Sequence, residues 1–381
     1  MTAPTVVRRL TDAVGIPVVL FAGVAVLALL ASTGPASIGR LTIAAVVNVI
    51  LVVGLYTFVG NSGVWSFGHM SFALVGGYVA GLLALPARLK NQLLPDAPDL
   101  VRSLSTTPVL AVVIGGLAAA LVAVVVAVPL ARIGGLSAGL ATVSLLIAFT
   151  VVAAQWQSVT RGQKGLSSIP TSTTLTVALT WLAVVLLIAW TYQRSSWGIR
   201  LRAAKADPIA AAASGISVPI QRGIALVLSA FITGIGGALF ALQLGSLNPD
   251  VFYLDYTFLI ITMLVLGGAG SLTGAVTGSV LVSALAEVLR RAEGGSLFGL
   301  DVPARPGLAD VILGVVLIVM LIRRPGGLTR GRELALRRRR RAKPVPTDEF
   351  PSTEAGLAAV PATALPTGSP VAVPAHREDT R

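Results

Sequence analysis

Runs of about 20 apolar residues recur along this chain, and a helix of that length is needed to cross the hydrocarbon layer of a bilayer. Polar or glycine-rich breaks separate the runs. We place them at residues 14–32, 41–59, 72–85, 108–128, 136–156, 175–192, 223–244, two within 256–289, and 307–322. This pattern predicts an all-α polytopic membrane protein with about ten transmembrane helices.

The composition supports a membrane protein and excludes several classes of function. Apolar residues make up 55% of the chain and charged residues 12%, against roughly 25% charged residues in typical globular proteins. Cysteine is absent, so a disulfide, a thiolate metal site and a cysteine nucleophile are excluded. The glycine-rich segment 267–274, GGAGSLTG, lacks the lysine of a phosphate-binding loop and follows no predicted strand. We therefore predict no ATPase site, no bound cofactor and no metal in this chain.

Positive charge is concentrated in particular breaks between the spans. Ten spans place both termini on one side, and that side then holds 20 of the 29 lysines and arginines, including those of loop 193–221 and of the chain from 323 onward. An excess of lysine and arginine is typical of cytoplasmic loops. We predict a multi-pass protein of the cell (inner or plasma) membrane with cytoplasmic termini and no nucleic-acid partner.

Three regions follow from this topology. Residues 1–13 form a cytoplasmic N-terminal segment, and residues 14–322 form the transmembrane domain. Residues 323–381 are basic and rich in Pro, Ala, Thr and Glu, a composition that cannot bury a core, so they are predicted to be a disordered cytoplasmic tail.

Loop 193–221, which we call the docking loop, is the longest basic and helix-prone break between spans. Alanines favour a short helix in it, Asp207 can cap that helix with Pro208 at its first position, and Gly215 can end it. Such a helix on the cytoplasmic side suits docking to a partner, although contact with anionic membrane lipid stays open. The candidate docking residues are Arg200, Arg202, Lys205, Asp207, Ala211 and Gly215.

Polar residues within the apolar sequence are candidates for a substrate pathway, because irregular or polar segments at membrane depth lie against protein or a water-lined cavity. Segment 66–72, SFGHMSF, is the clearest case. Interhelical hydrogen bonding is the alternative interpretation. Glu287 is different, since Arg290 and Arg291 follow at helical spacing and an ion pair near the membrane edge is expected. The candidate pathway residues are Asn48, Ser66, His69, Ser71 and Thr142.

Glycines repeat at a spacing of four residues in three stretches, one of which is Gly135–Gly139. Small residues at this spacing let helix backbones approach closely in membranes, so helix packing is the expected role. The glycines of the other two stretches are Gly77, Gly81, Gly270, Gly274 and Gly278.

Together, several stretches covering most of residues 40–330 resemble the permease subunits of branched-chain amino-acid ABC importers, in particular the type whose first motif carries a histidine. One family position differs, because Arg161 stands where the polar T-G-G loop has its first glycine. The matching stretches are 63–81 with SFGHMSF and GGY, 132–149 with Gly135, Leu136, Ala141 and Thr142, 160–170 with Thr160, Gly162, Gly165, Ile169 and Pro170, 198–241, 266–274 and 325–328.

The resemblance implies a transport function. Such a permease pairs with a second, related permease, docks two cytosolic ATP-binding-cassette ATPase subunits through its loops, and receives solute from an extracytoplasmic binding protein. ATP and Mg are used by the ATPase partners. The family includes carriers of branched-chain amino acids and of urea or short amides, so the solute stays open.

Two other function classes compete with this interpretation. A secondary transporter or channel working without partners would show inverted repeats and functional buried charge, and neither is clear in the sequence. An intramembrane enzyme would need a nucleophile paired with a base or metal ligands within the spans, which the sequence does not support.

Overall fold

The computed structural model describes residues 3–333 apart from 34, 294, 295, 298, 299, 302–306 and 325. Fifteen α-helices account for most of this part of the chain. They are α1 (Ala3–Ser32), α2 (Ala36–Ser62), α3 (His69–Ala84), α4 (Ala87–Leu93), α5 (Asp99–Ser103), α6 (Pro108–Leu130), α7 (Gly135–Gln155), α8 (Gln157–Thr160), α9 (Leu175–Arg194), α10 (Ser196–Ala206), α11 (Pro208–Ala213), α12 (Val218–Leu244), α13 (Leu254–Gly267), α14 (Leu272–Glu293) and α15 (Leu308–Arg323).

Among the described residues, eight helices are long and apolar enough to span a membrane. The bent pair α3 and α4, whose axes differ by 115°, makes a ninth span if it is counted as one. Helix α15 contributes a shorter apolar stretch, Val311–Met320. The all-α polytopic architecture predicted from the sequence is confirmed, and the ten expected runs correspond to these elements.

Helix α12 forms the centre of the bundle and packs against α2, α3 and α6. Of the apolar window in α12, 72% is buried, and 78% of that in α2, whereas only 22% of the window in α1 is buried. Close approach at the centre depends on glycine. A methyl group on Gly237 of α12 would collide with the backbone carbonyl of Ala73 in α3.

The glycines spaced by four in 77–81 and 270–278 lie at close contacts, most of them with backbone atoms. Gly77 faces the carbonyl of Gly237, at 3.1 Å from an added Cβ, and Gly81 faces the side chain of Ile169, at 2.9 Å. Gly274 and Gly278 lie against the backbone of Gly267, where α13 ends and the chain turns into α14. Gly270 faces Gly331 at 3.0 Å from an added Cβ.

Residues 326–333, which we call the strap, lie across the break between α13 and α14. The amide of Leu328 donates to the carbonyl of Leu266 at 2.9 Å, and the hydroxyl of Thr329 donates to the carbonyl of Gly267 at 3.0 Å. The sequence predicted a disordered tail from residue 323 onward. The strap belongs to that predicted tail, but it makes tertiary hydrogen bonds to the break between α13 and α14. Residues 334–381, including the arginine run 337–341, lie outside the described residues.

The breaks predicted as loops contain short elements. Helices α4 and α5 lie in 86–107, and the buried Lys90 ties them together, since its ammonium group donates to the carbonyls of Val101 and Leu104. Strands β1 (Ser296–Leu297) and β2 (Leu300–Asp301) pair antiparallel within 294–306. Of these elements, only α4 bears on the number of spans, through its bent pair with α3.

The polar loop 157–174 folds back on the loop after α12. Leu166 and Leu247 exchange backbone hydrogen bonds at 2.9 Å. Arg161 adopts a left-handed backbone with φ 62°, a conformation that glycine adopts without strain, and its guanidinium donates to the hydroxyl of Ser167 at 3.0 Å. The backbone geometry explains why a glycine would suit this position.

Candidate docking and transport site

The short helix α11 has clear local causes. The Asp207 carboxylate accepts hydrogen bonds from the amides of Ile209 and Ala210 at 2.9 and 3.0 Å, which caps the helix where Pro208 begins it. Gly215 has φ 79°, and the amide of Ile216 donates back to the carbonyl of Ala211 at 3.0 Å. The predicted start and end of this helix are confirmed.

A second helix, α10, precedes α11 and was not predicted as a separate element. The Ser195 hydroxyl caps it by accepting from the amide of Gly198 at 3.2 Å. The extended backbone of Asp207 separates the two helices. The docking loop is therefore a helix pair joined at Asp207.

Two basic residues of α10 fasten the docking loop to the end of α2. The Arg202 guanidinium donates to the amide oxygen of Asn61 at 3.1 Å and to the carbonyl of Gln193 at 2.7 Å. The Lys205 ammonium donates to the carbonyl of Gly60 at 2.8 Å. Desolvation of this ammonium and the positive charge of Arg202 lower the pKa of Lys205. Arg202 and Lys205 thus act as anchors of the loop.

Other residues of the helix pair face outward. Arg200 is exposed, and Ile209 at the start of α11 is 82% exposed, the largest exposure of a large apolar side chain among the described residues. Ala211 is buried against the underlying bundle. The start of α11 therefore presents an apolar side chain at the surface of the docking loop.

The strap adds a further link to this site. One carboxylate oxygen of Glu333 accepts from the side-chain amide of Gln193 at 3.0 Å and from the amide of Leu272 at 2.8 Å. The other oxygen accepts from the amide and the hydroxyl of Thr273 at 3.1 and 2.8 Å. Glu333 therefore caps α14 and joins it to the residue that Arg202 also contacts. Sequence reasoning missed Glu333, since its partners lie 60 or more residues away.

His69 begins α3 and is buried, 1% exposed, between the rings of Phe58 and Phe72. Its Nδ1 is 2.8 Å from the hydroxyl of Ser66, and its Nε2 contacts the hydroxyl of Ser229. Ser229 donates its proton to the carbonyl of Gly54 at 2.6 Å, so Nε2 is the donor to Ser229. His69 and Ser229 thus join α3, α12 and α2, and Ser66 ties the imidazole to the segment before α3.

The other candidate pathway residues fall into two places. The hydroxyl of Thr142 accepts from the amide of Phe67 at 3.0 Å, next to the start of α3, and the buried hydroxyl of Ser71 has no partner among the described residues. Asn48 lies apart from them. Its amide oxygen accepts from the hydroxyl of Tyr256 at 2.5 Å, and its amide nitrogen is 3.4 Å from the hydroxyl of Ser283. The candidate residues therefore do not form one cluster, and their pathway role stays a prediction.

Residues 37–321 match the family model of the branched-chain amino acid transport system permease component. The chain belongs to this family. The matched region begins in α2 and ends in α15, so it includes the docking loop and the His69 site of this permease, and it stops before the strap.

Comparison of the permease with curated proteins gives no match, and comparison with solved structures gives none. Within the part of the permease that the structure describes, no group of three or more His, Asp or Glu side chains is arranged to hold a metal ion.

Proposed function

We propose that this permease is a membrane subunit of an ATP-binding-cassette importer. It carries branched-chain amino acids, or related small polar solutes such as urea or short amides, across the cell membrane. Hydrolysis of ATP with Mg on partner subunits drives the transport, and this chain is itself no enzyme. The family match supports the transport class.

The observation that carries the proposal is the anchored, outward-facing helix α11. Its exposed apolar residue, Ile209, lies beside polar anchors on α10 and on the end of α2. A lipid-binding loop needs basic side chains at the surface, but only Arg194 and Arg200 stay free of such anchoring contacts, because Arg202 and Lys205 donate to Asn61 and Gly60. That arrangement favours a protein partner over lipid.

The partners follow from this assignment. Two cytosolic ATPase subunits dock on the cytoplasmic loops, a second homologous permease completes the pathway, and an extracytoplasmic binding protein delivers the solute. The amides that open α14 are bonded to Glu333, which leaves them without capacity for a phosphate and supports placing ATP on other subunits. The same proposal places the docking loop on the cytoplasmic side of the membrane.

The contacts of the docking loop connect a movement of the ATPase subunits to a movement of the transmembrane helices. Closure of the ATPase dimer draws α10 and α11 as one unit, and Arg202 and Lys205 pass that displacement to the end of α2. Movement of packed helices as rigid bodies then alternates access to the pathway.

The experiment is capture of partners from native membranes by the detergent-solubilised chain, with mass spectrometry to identify them. The wild type captures ATPases and a second permease, and Ile209→Ser loses the ATPases. Leu100→Ser is the matched control, because Leu100 is also an exposed apolar residue on a short helix but lies in loop 86–107. Wild type that captures no ATPase and carries solute in liposomes without ATP would contradict the importer and favour a partner-independent transporter.

The orientation has its own test. The chain lacks cysteine, so a single Ile209→Cys or Leu100→Cys variant carries one thiol. In the ten-span topology, loop 86–107 and the docking loop lie on opposite sides of the membrane. If the docking loop is cytoplasmic, an impermeant maleimide added to intact cells labels Leu100→Cys and spares Ile209→Cys. The reverse pattern would place the docking loop and the termini outside.

A further inference from the structure

An open groove with a volume of about 320 Å³ lies between α1, the first part of α2 and the last turns of α14. Helix α1 packs mainly against α2 and α9 and only lightly against α14, which leaves the groove between these two helices. Leu27 of α1 lines the groove and is 56% exposed. Because α1 is an apolar span, the groove opens toward the hydrocarbon of the bilayer.

The charged lining residues, Glu287 and Arg291, lie at one end of the groove. Glu333 caps the start of α14 beside the anchored end of α2, and farther along Asn48 of α2 is 3.4 Å from the hydroxyl of Ser283 in α14. The two helices therefore run antiparallel, and Arg291, eight residues after Ser283, reaches the level of the first turns of α2. The charged end of the groove is thus the end remote from the docking loop.

The rest of the lining is apolar, apart from Thr42 and Ser283, whose hydroxyl groups have partners within the bundle. Along α2 the lining extends from Ile38 to Val49, about 16 Å along the helix axis. That length is close to half of the roughly 30 Å hydrocarbon core of a bilayer. The groove therefore has the depth of one leaflet.

The guanidinium of Arg291 has a free edge at the charged end of the groove. Its Nε donates to Glu287 at 2.7 Å, which confirms the ion pair that the sequence predicts. This use of Nε leaves Nη1 and Nη2, which have no partner among the described residues. Two parallel N–H groups on that edge match two oxygens of a phosphate. The side chain of Arg291 is 45% exposed, so a ligand can reach it.

We infer that this groove binds a glycerophospholipid of the membrane, with one acyl chain along α2 and the phosphate on Arg291. Apolar surface at this depth is filled by hydrocarbon, and a chain of methylene groups is narrow enough to enter the groove. Basic side chains between transmembrane helices at the membrane surface are typical binding sites for lipid head groups. In the orientation proposed above, the lipid belongs to the outer leaflet.

A transmembrane helix fits the groove less well than an acyl chain does. With its side chains a helix is about 10–12 Å wide, so it would cover the groove without filling it. The α1 wall of the groove lies before residue 37, where the family match begins. The inference therefore does not rest on the proposed transport function.

The test is a titration of the purified, delipidated full-length chain with dioleoyl phosphatidylglycerol, followed by native mass spectrometry. Arg291→Gln should weaken binding of the first lipid about fivefold, since one arginine near the membrane surface contributes about that factor. Arg291→Lys keeps the charge and should recover part of the affinity. Ala284→Phe should abolish binding, because Ala284 is exposed and lines the groove, and the ring takes the space of the acyl chain.

Two further variants supply matched controls. Arg290→Gln removes the same charge from the preceding residue, an exposed arginine that does not line this groove. Ala148→Phe adds the same ring to an exposed alanine of α7. Both variants should bind the lipid as wild type does.

Other probes separate the acyl chain from the phosphate. Dioleoylglycerol, which has the same chains without phosphate, should bind about fivefold more weakly, and inorganic phosphate alone should not displace the lipid. Equal binding of dioleoylglycerol, displacement by inorganic phosphate, or unchanged affinity in both Arg291→Gln and Ala284→Phe would each overturn the inference. It would also be overturned by a dimer that holds no lipid and dissociates with Ala284→Phe, since a second copy of the chain would then cover the groove.

Discussion

Glu333 accepts a hydrogen bond from the backbone amide of Leu272 at 2.8 Å, and thereby caps a helix that begins 61 residues earlier in the chain. Helix caps are ordinarily supplied by the residue next to the helix. Here the Ser271 hydroxyl accepts from the amide of Gly274 at 3.0 Å, and the strap carboxylate accepts from the amides of Leu272 and Thr273. The last described residues are therefore part of the folded bundle.

Removing this cap should destabilise the bundle. We expect Glu333→Ala to lower the free energy of unfolding by about 1–2 kcal/mol, since the amides of Leu272 and Thr273 lose their acceptor. Glu333→Gln keeps one acceptor oxygen and should lose less. Thermal unfolding in detergent measures both, with the exposed neighbour in Arg332→Ala as control. Equal stability of Glu333→Ala and wild type would contradict the cap.

A methyl group at the centre of the bundle should separate α3 from α12. Gly237→Ala places a Cβ against the backbone carbonyl of Ala73, which cannot rotate away, so we expect a loss of about 1–3 kcal/mol. Gly314→Ala in α15 is the matched control, because no described atom lies within 4 Å of its added Cβ. Unfolding temperature and size-exclusion profile report the difference. Identical profiles for both variants would argue against the close contact.

The cap of α11 should govern local order in the docking loop. We expect Asp207→Ala to speed amide exchange at residues 210–213 about fivefold, equivalent to about 1 kcal/mol of lost capping. Asp207→Asn retains an acceptor and should exchange almost as wild type does. Hydrogen exchange with mass spectrometry measures this, and the global unfolding temperature should stay unchanged, since α11 is short and mostly exposed. A shift of the global unfolding temperature would show that α11 contributes to the stability of the whole bundle, which contradicts a purely local role of the cap.

Lys205 should make stability depend on alkaline pH. Its pKa is lowered in the folded state, so the unfolded chain binds more protons between the folded pKa and the unfolded value of about 10.4. Stability therefore rises with pH in that window. We expect Lys205→Met to show a smaller rise than wild type, and Lys164→Met, on an exposed loop, to keep the full rise. Unfolding midpoints over a pH series decide the question, and parallel curves for Lys205→Met and wild type would refute it.

The spans could be predicted from sequence because the bilayer fixes their length. Apolar runs such as 108–128 and 175–192 correspond to α6 and α9 with ends displaced by a few residues. The glycines at 267–270 were enough to divide α13 from α14. The 115° bend between α3 and α4 was not predicted, since it depends on how the second segment packs as well as on Pro86.

The start and end of the short helix α11 in the docking loop could also be predicted from the sequence. Asp207, Pro208 and Gly215 act within three or four residues, so their pattern specifies one turn of helix without reference to the rest of the chain. Asn61, Gln193 and Glu333 act across 60 to 141 residues, and a sequence gives no measure of such distances. For the same reason, the partners of His69 and the neighbours of Asn48 became visible only in the structure.

Helix α2 carries Asn48 in its first half and Asn61 at the docking loop, separated by thirteen residues or about 20 Å along one axis. The helix has no break over that length, so an axial displacement of Asn61 would also displace Asn48. By thermodynamic reciprocity, a ligand that binds beside Asn48 and prefers one position of α2 would change how strongly a partner binds at the docking loop.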